Sequence, residues 1–569
     1  MKTFDTFVFG FILLLISIIG IFFSRRSGST KTHIDLLVGS NVSTFSIALS
    51  VCSSFLSAVS LLGFPAEIYY RGTSPIWYLG AYLLSFPTVA FLFLPVFYNL
   101  KILSIYEYLE KRFCFASRLI ASLTFILQTI CYLAVAIYAP SLAFSQCFNL
   151  PVILSIFITA FISAVYLFAS GARGGIYTSA FQMALILFSL FVACVSSMVY
   201  FNVGTIWQNA ERGRRLEPID LRVDPRVRHS IWSFLIGGSG NIFALFASNQ
   251  LTMQRYMVMP SLKQAQRVIL INIPLNASML FMYTIVGVMI YSVYHGCHPS
   301  DLQAPDQILP YFIENQLNWI IGLEGLFMAA IYSAGVSTLT NAYNALSAVF
   351  IEDIIKIIIA KRQESRVLNA KTHMRLIRVL PFCFAFIAML LATVVGSLNT
   401  MILQIAFSIF GAAGGAILSI FVVGLFCPKV NSKYAALAGQ IAAILSCGFV
   451  AIGSLYYNVT PVNLPLSSEC LSNSSSQSFA YDPSYGTVTA SSYGGFWAEL
   501  SKVSYQYYSI IGVLTCVIVA HLVQFGLSIC GLTPRRDVNS MLLVHFLRVK
   551  PPNIVIEAAE SQCLRNSDN

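Results

Sequence analysis

Residues 329–345 read AAIYSAGVSTLTNAYNA, inside a long apolar run from about Leu326 to Ile358. Ser333, Ser337, Thr340, Asn341 and Asn344 recur there at three- and four-residue steps, which gathers them on one stripe of a helix. Lipid supplies no hydrogen-bond partners, so a polar stripe in a membrane span must find its own. The Ala334 carbonyl with the Ser337 and Thr338 hydroxyls forms an i, i+3, i+4 set of oxygens. Neutral oxygens grouped on one turn replace part of the water shell of a small hard cation such as sodium. From this stretch alone a second reading stays open. Membrane Ser and Thr also bond back to carbonyls one turn earlier, or sit where helices pack closely.

Hydrophobic residues make up 57% of the 569 and charged residues 10%, against about a quarter charged in a soluble domain. That composition belongs to a polytopic membrane protein whose first partner is the lipid bilayer. The net charge of +11 reflects Lys and Arg on loops and points to no nucleic acid. Thirteen cysteines are scattered mainly through apolar runs, as small packing residues. Only Cys297 and Cys470 fall in loops expected outside, and whether they pair stays open. No CxxC or HExxH spacing occurs, so no metal beyond sodium is expected. No constellation of nucleophile, base or metal suggests an enzyme.

Apolar runs lie near 4–23, 41–66, 76–100, 116–147, 150–170, 176–201, 231–250, 265–295, 319–356, 376–396, 400–426, 434–456 and 506–530. They predict an all-α protein of thirteen transmembrane helices. The first run has little positive charge before it, no small-residue cleavage site, and Arg25, Arg26 and Lys31 after it, so it reads as a retained span. With the N-terminus outside and the C-terminus cytoplasmic, the Lys- and Arg-rich loops share one side, including 356–378. The positive-inside bias makes that side cytoplasmic. Loop 202–230 disagrees: it carries six arginines, yet this model places it outside. Moving it would invert everything after it. The outer loop 457–505 is polar and Ser-rich and holds two glycosylation sequons, at Asn458 and Asn473; Pro461 makes Asn458 the poorer acceptor. The tail 531–569 reads as cytoplasmic and mostly disordered.

Two runs make poor regular helices. The second holds Ser50, Cys52, Ser53, Ser54, Ser57 and Ser60, then Gly63 and Pro65. The seventh holds Gly237, Gly238, Ser239, Gly240 and Asn241, then Ser248, Asn249 and Gln250. Interrupted spans in matching positions of two halves point to an inverted repeat with a site at mid-membrane. Unwinding frees carbonyls for a cation, and a half-helix N-terminus offers donors to an anion. The alternative is that Gly and Pro merely kink these helices.

SSFLSAVSLLGFPAEIYYRG (53–72), FLPVFYNLKILSIYEYLEKRF (93–113), APDQ (304–307), SNQLTMQRY (248–256), YSAGVSTL with NALSAVFIED (332–353) and SIFGAAGGAILSIFVVGLF (408–426) together resemble the sodium–solute symporter family. The similarity runs from roughly 35 to 530 and is greatest to its branch of multivitamin, monocarboxylate and iodide carriers. The resemblance implies a five-plus-five inverted-repeat (LeuT-type) core over 35–430, with repeats at about 41–201 and 231–426. Around it stand an extra N-terminal segment, 1–34, and two peripheral spans over 431–530. It implies a plasma-membrane symporter with sodium as the coupling ion and no organic cofactor. Carried over by motif, the sodium ligands are the carbonyls of Ser53, Leu56 and Ala334 with the hydroxyls of Ser337 and Thr338. A small organic anion is the expected solute, with Phe55, Ser60, Gln250 and Phe410 as pocket residues. The chain departs from the family pattern W-T-D-x-x-Q, which appears here as residues 177–182, YTSAFQ. Ser179 replaces the Asp while Gln182 is kept, which leaves a remnant of a second sodium site. Asn341 stands where the nearest branch has a small hydroxyl residue. A non-transporting sensor or a sodium leak on the same scaffold is the alternative.

Overall fold

The computed structural model describes residues 2–25, 43–294, 299, 302, 304–362, 370–396, 400–457, 459–466, 484–489, 495–532, 539–544 and 547. Among the described residues the regular secondary structure is helical, apart from one two-residue antiparallel pair, Thr460–Pro461 with Val488–Thr489. Among the described residues nine helices are long and apolar enough to cross a membrane, or ten with one bent pair counted as a span. The expected number was thirteen. Of the remaining runs, Val152–Phe168 and Ser233–Phe246 are helical but short. The Leu323–Phe350 helix has the length, but its polar stripe lowers its hydropathy.

The α-helical assignment runs unbroken over Val152–Tyr200, 49 residues, where two spans were expected. It is not straight. In a straight helix Tyr166 and Thr178 stand about 18 Å apart. Here both side chains press on the same point, Gly20. The run therefore bends between them.

The Leu323–Phe350 helix is the centre of the bundle, with 24 of its 28 residues buried. It is enclosed by the helices Thr3–Arg25, Phe115–Phe148, Val152–Tyr200 and Ala370–Val395. Its polar stripe therefore faces protein. The apolar residues left exposed lie on outer helices, such as Phe7, Phe11 and Leu14 on the first and Leu445 and Ile452 on Lys433–Tyr456. Without lipid around them these faces would be unstable in water.

The first broken helix stops where the sequence concentrates serines. Thr44–Phe55 ends as the Leu56 N–H bonds back to Cys52 O and Leu56 turns to ψ 70°. Ser57 is extended and caps the next helix, Ala58–Arg71, with its Oγ accepting from the Val59 N–H. The two halves bend by 59°. The second break is at Ala247–Asn249, where Asn249 Oδ1 accepts from the Leu251 N–H and starts Gln250–Tyr256. The Gly-rich stretch 237–241 is not a break; it is helical. Its glycines permit close approach, since a Cβ on Gly237 would lie 2.6 Å from Gln506 O.

The two ends of the bundle are distinct. At one end, Lys2 Nζ bonds Asn318 O, Arg71 Nε bonds Asn463 Oδ1 and Arg222 Nη2 bonds Tyr485 O. The N-terminus thus meets the 295–318 loop, and loop 202–230 meets the described part of loop 457–505 beside the end of the first broken helix. Most of that loop's arginines are consumed in place. Arg214, Arg222, Arg226 and Arg228 pair with carboxylates, and Arg215 donates to the carbonyls of Tyr69, Gly213 and Pro465. This explains how the loop departs from the charge bias. At the other end, a short part of the tail is docked. Leu542, Leu543 and Val544 are buried, Tyr108 Oη donates to Leu542 O at 3.0 Å, and Val544 N to Leu425 O at 3.3 Å.

Candidate ion and solute site

A helix end leaves its last carbonyls without partners in the helix. The break after Phe55 does this for Ser53, in the last turn of Thr44–Phe55, and puts Leu56 between the two halves. The Leu323–Phe350 helix packs beside this break, and Asn341 Nδ2 reaches Ser54 Oγ at 3.4 Å. Ser337 Oγ and Thr338 Oγ1 each donate to the Ala334 carbonyl at 3.0 Å. Three oxygens therefore meet on one turn, buried. The bond back to the previous turn is present, as the second reading of the stripe required. It is equally present at Ser333 and Thr340, so it does not by itself distinguish the proposed ligands. Each hydroxyl spends its proton on the helix and keeps its lone pairs.

Ser179 lies on the neighbouring helix. Its Oγ accepts from Asn341 Nδ2 at 3.2 Å. A neutral amide thus faces a neutral hydroxyl, and no carboxylate stands there. Gln182 is fully buried, with neither amide atom partnered.

Both breaks face one small pocket, with a cavity volume of about 50 Å³. Leu56, Ser57 and Ser60 line it from the first broken helix, Leu245 and Phe246 from the second, and Phe410 from the Ile402–Phe426 span. The Phe410 and Tyr132 rings pack at 4.5 Å, and Tyr132 Oη donates to Ser57 Oγ at 3.3 Å. One expected pocket residue differs. Gln250 is absent from the lining; its amide bonds Leu103 O at 2.8 Å and accepts from the Ile105 N–H at 3.0 Å. The buried amide is satisfied by a neighbouring turn, which a single sequence does not reveal. The Phe55 side chain lies outside the described residues, as do Asn458, Asn473, Cys297 and Cys470.

A charged cluster was missed. Glu67 Oε1 accepts from Arg228 Nε and Nη2 at 3.0 and 2.9 Å, and Oε2 from Arg71 Nη1 at 2.6 Å. Arg228 also donates to Gln404 Oε1 at 2.7 Å and covers the Tyr505 ring. Burial pulls His229 down to about 3, so it stays neutral and the pair is Glu67 with two arginines. The cluster ties the first broken helix to the segment entering the second and to the Ile402–Phe426 span. Its signal was Glu67 itself, an acidic residue directly at the end of the second apolar run. At the other end, Asp353 accepts from Arg118 and from the Ser104 and Ser122 hydroxyls at 2.6 Å.

Comparison with known proteins bears on this arrangement. The model of the sodium:solute symporter family matches residues 36–443. Sodium-coupled monocarboxylate transporter 2 of Mus musculus is 32% identical over 551 residues, covering 95% of this chain and 86% of that protein. The putative sodium-dependent multivitamin transporter of Drosophila melanogaster is 30% identical, covering 95% and 90%. The sodium-dependent multivitamin transporter of Oryctolagus cuniculus is 31% identical, covering 96% and 84%. A sodium-coupled sialic acid symporter, solved substrate-bound and outward-open, superimposes with a TM-score of 0.74 at 22% identity, over 94% of this chain and 99% of that one. That likeness shows a shared fold.

Proposed function

The chain belongs to the sodium:solute symporter family and is a sodium-coupled solute symporter, and from that premise we propose that it imports a small carboxylate-bearing solute by alternating access. The observation that carries this reading is the shared break. Leu56 and Ser57 end the first half-helix, where the sodium carbonyls lie, and also line the pocket. Sodium held by the carbonyls of Ser53, Leu56 and Ala334 with Ser337 and Thr338 would fix the joint on which the solute rests. Two ligands that stabilise one conformation are coupled through it.

The pocket chemistry supports the solute class. Its walls are aromatic and aliphatic, and its polar groups are hydroxyls and the Asn276 amide, with no charged side chain among the lining residues. A carboxylate would rest on the half-helix N-terminus at Ser57 and Ser60, with its apolar body against Phe410. The expected stoichiometry is one sodium per cycle, because Ser179 and Asn341 bring no negative charge to the second position.

Purified protein in liposomes with an inward sodium gradient tests the reading. A thermal-shift screen of small carboxylates, with and without sodium, selects the solute. Uptake should then exceed equilibrium and collapse when a sodium ionophore removes the gradient. Saturable, sodium-dependent binding without accumulation would instead establish the sensor reading, which the neutral Ser179–Asn341 contact favours.

A further inference from the structure

Arg255, on the Gln250–Tyr256 helix, is a buried cation with neutral partners. It is 6% exposed. Its Nη1 donates to Ser50 O at 2.5 Å and to the Ser54 hydroxyl. Among the described residues no carboxylate lies within ion-pair distance of it. Neutral acceptors return less than a guanidinium loses on leaving water, and a buried charge is ordinarily paired.

The groups around it are neutral. Asn341 Nδ2 spans from Ser54 Oγ, at 3.4 Å, to Ser179 Oγ, at 3.2 Å. Arg255, Ser54, Asn341 and Ser179 thus form one connected set drawn from four helices. Two buried polar side chains at its edge are unsatisfied. The Ser50 hydroxyl has no partner, and Gln182, one turn along from Ser179, has none for either amide atom. No acidic residue belongs to the set. One formal positive charge, two amides and several hydroxyls, shielded from bulk water, are the chemistry that recognises a small monovalent anion.

We propose that this cluster binds one small monovalent anion, a halide or the carboxylate group of a short organic acid. The site is separate from the solute pocket, since none of these residues lines it. Ser54 is adjacent in sequence to Ser53, a proposed sodium ligand, so the bound anion offsets the charge of Arg255 beside the ion site. Anion and sodium binding therefore reinforce each other. That coupling rests on the sodium reading above; the anion site itself does not.

The test is thermal unfolding of the purified protein at fixed sodium and ionic strength, with chloride replaced by the bulkier methanesulfonate. Chloride should raise Tm saturably by several degrees. Ser179→Asp places a carboxylate against Asn341 and supplies the negative charge covalently, so its Tm should no longer respond to chloride. Acetate replaces chloride in a second arm. An acetate response that disappears in Ser179→Asp, without a chloride response, assigns the site to carboxylates. An acetate response that survives in Ser179→Asp belongs to the solute pocket and, without a chloride effect, overturns the proposal. So does a wild-type Tm unmoved by either anion, or an equal chloride response in Ser179→Asp. Because nothing is transported in this measurement, its failure leaves the symport reading standing.

Discussion

At the scale of single residues, Ser337 and Thr338 differ from Thr340 in where their oxygens gather. Both converge on the Ala334 carbonyl, whereas Thr340 bonds the Ser337 carbonyl. An ion that gives up hydration to enter tolerates the loss of one neutral ligand poorly. Ser337→Ala and Thr338→Ala should each raise the half-saturating sodium concentration several-fold, about 1 kcal/mol, with solute affinity recovering at saturating sodium. Thr340→Ala is the control; an equal shift there would make the stripe purely structural. Gln250 makes the opposite case. Gln250→Ala leaves Leu103 O and Ile105 N–H unpaired in the interior, at about 1–3 kcal/mol each. Tm should fall while the half-saturating solute concentration stays unchanged. A changed solute affinity at constant Tm would return Gln250 to the pocket.

At the scale of elements, the short helix Pro305–Gln307 places Asp306 at the start of Ile402–Ile409, where Oδ2 accepts from the Ile402 N–H at 3.0 Å. Burial raises the Asp306 carboxyl from its ordinary 3.8 to about 7, Glu67 adds to the rise, and the Ile402 N–H and Arg71 oppose it. A carboxyl raised on folding favours the protonated fold. Its contribution is complete below the unfolded value and is lost as pH rises through the folded one. Tm should therefore fall between about pH 4 and 7, and Asp306→Asn, which is neutral throughout, should flatten that slope. Identical slopes in the two proteins would exonerate Asp306. The break at Leu56–Ser57 was legible in the run of serines, because Ser57 is a strong N-cap. The second break was half legible. Asn249 caps as its type predicts, while the glycines at 237, 238 and 240 serve close packing.

At the scale of the whole molecule, the segments expected outside meet at one end and the tail docks at the other. This supports a topology with the N-terminus and the 457–505 loop extracellular and 356–378 cytoplasmic. Glycosidase should increase the mobility of the protein on gels, and Asn473→Gln should abolish that change. Labelling of the 356–378 loop by an impermeant reagent on intact cells would refute the topology. The same global frame bears on stoichiometry. With no carboxylate at Ser179, uptake should depend hyperbolically on sodium. A sigmoidal dependence, with reversal potentials indicating two sodium ions, would place a second ion in the structure.

Membership of the membrane class, the helical period of the polar stripe and the position of the first break were all determined by the sequence. They depend on composition, on 3.6-residue spacing and on capping, which act within a few residues of each other. The partners of the buried charges were decided only by the tertiary structure. Glu67 finds Arg228 from 161 residues away, and Arg255 finds Ser50 from 205. Gln250, which reads as a pocket amide, is claimed by the turn at Leu103–Ile105. Each of these groups must be satisfied once it leaves water. Which group satisfies it depends on which helix the bundle brings alongside, and local chemistry carries no record of that.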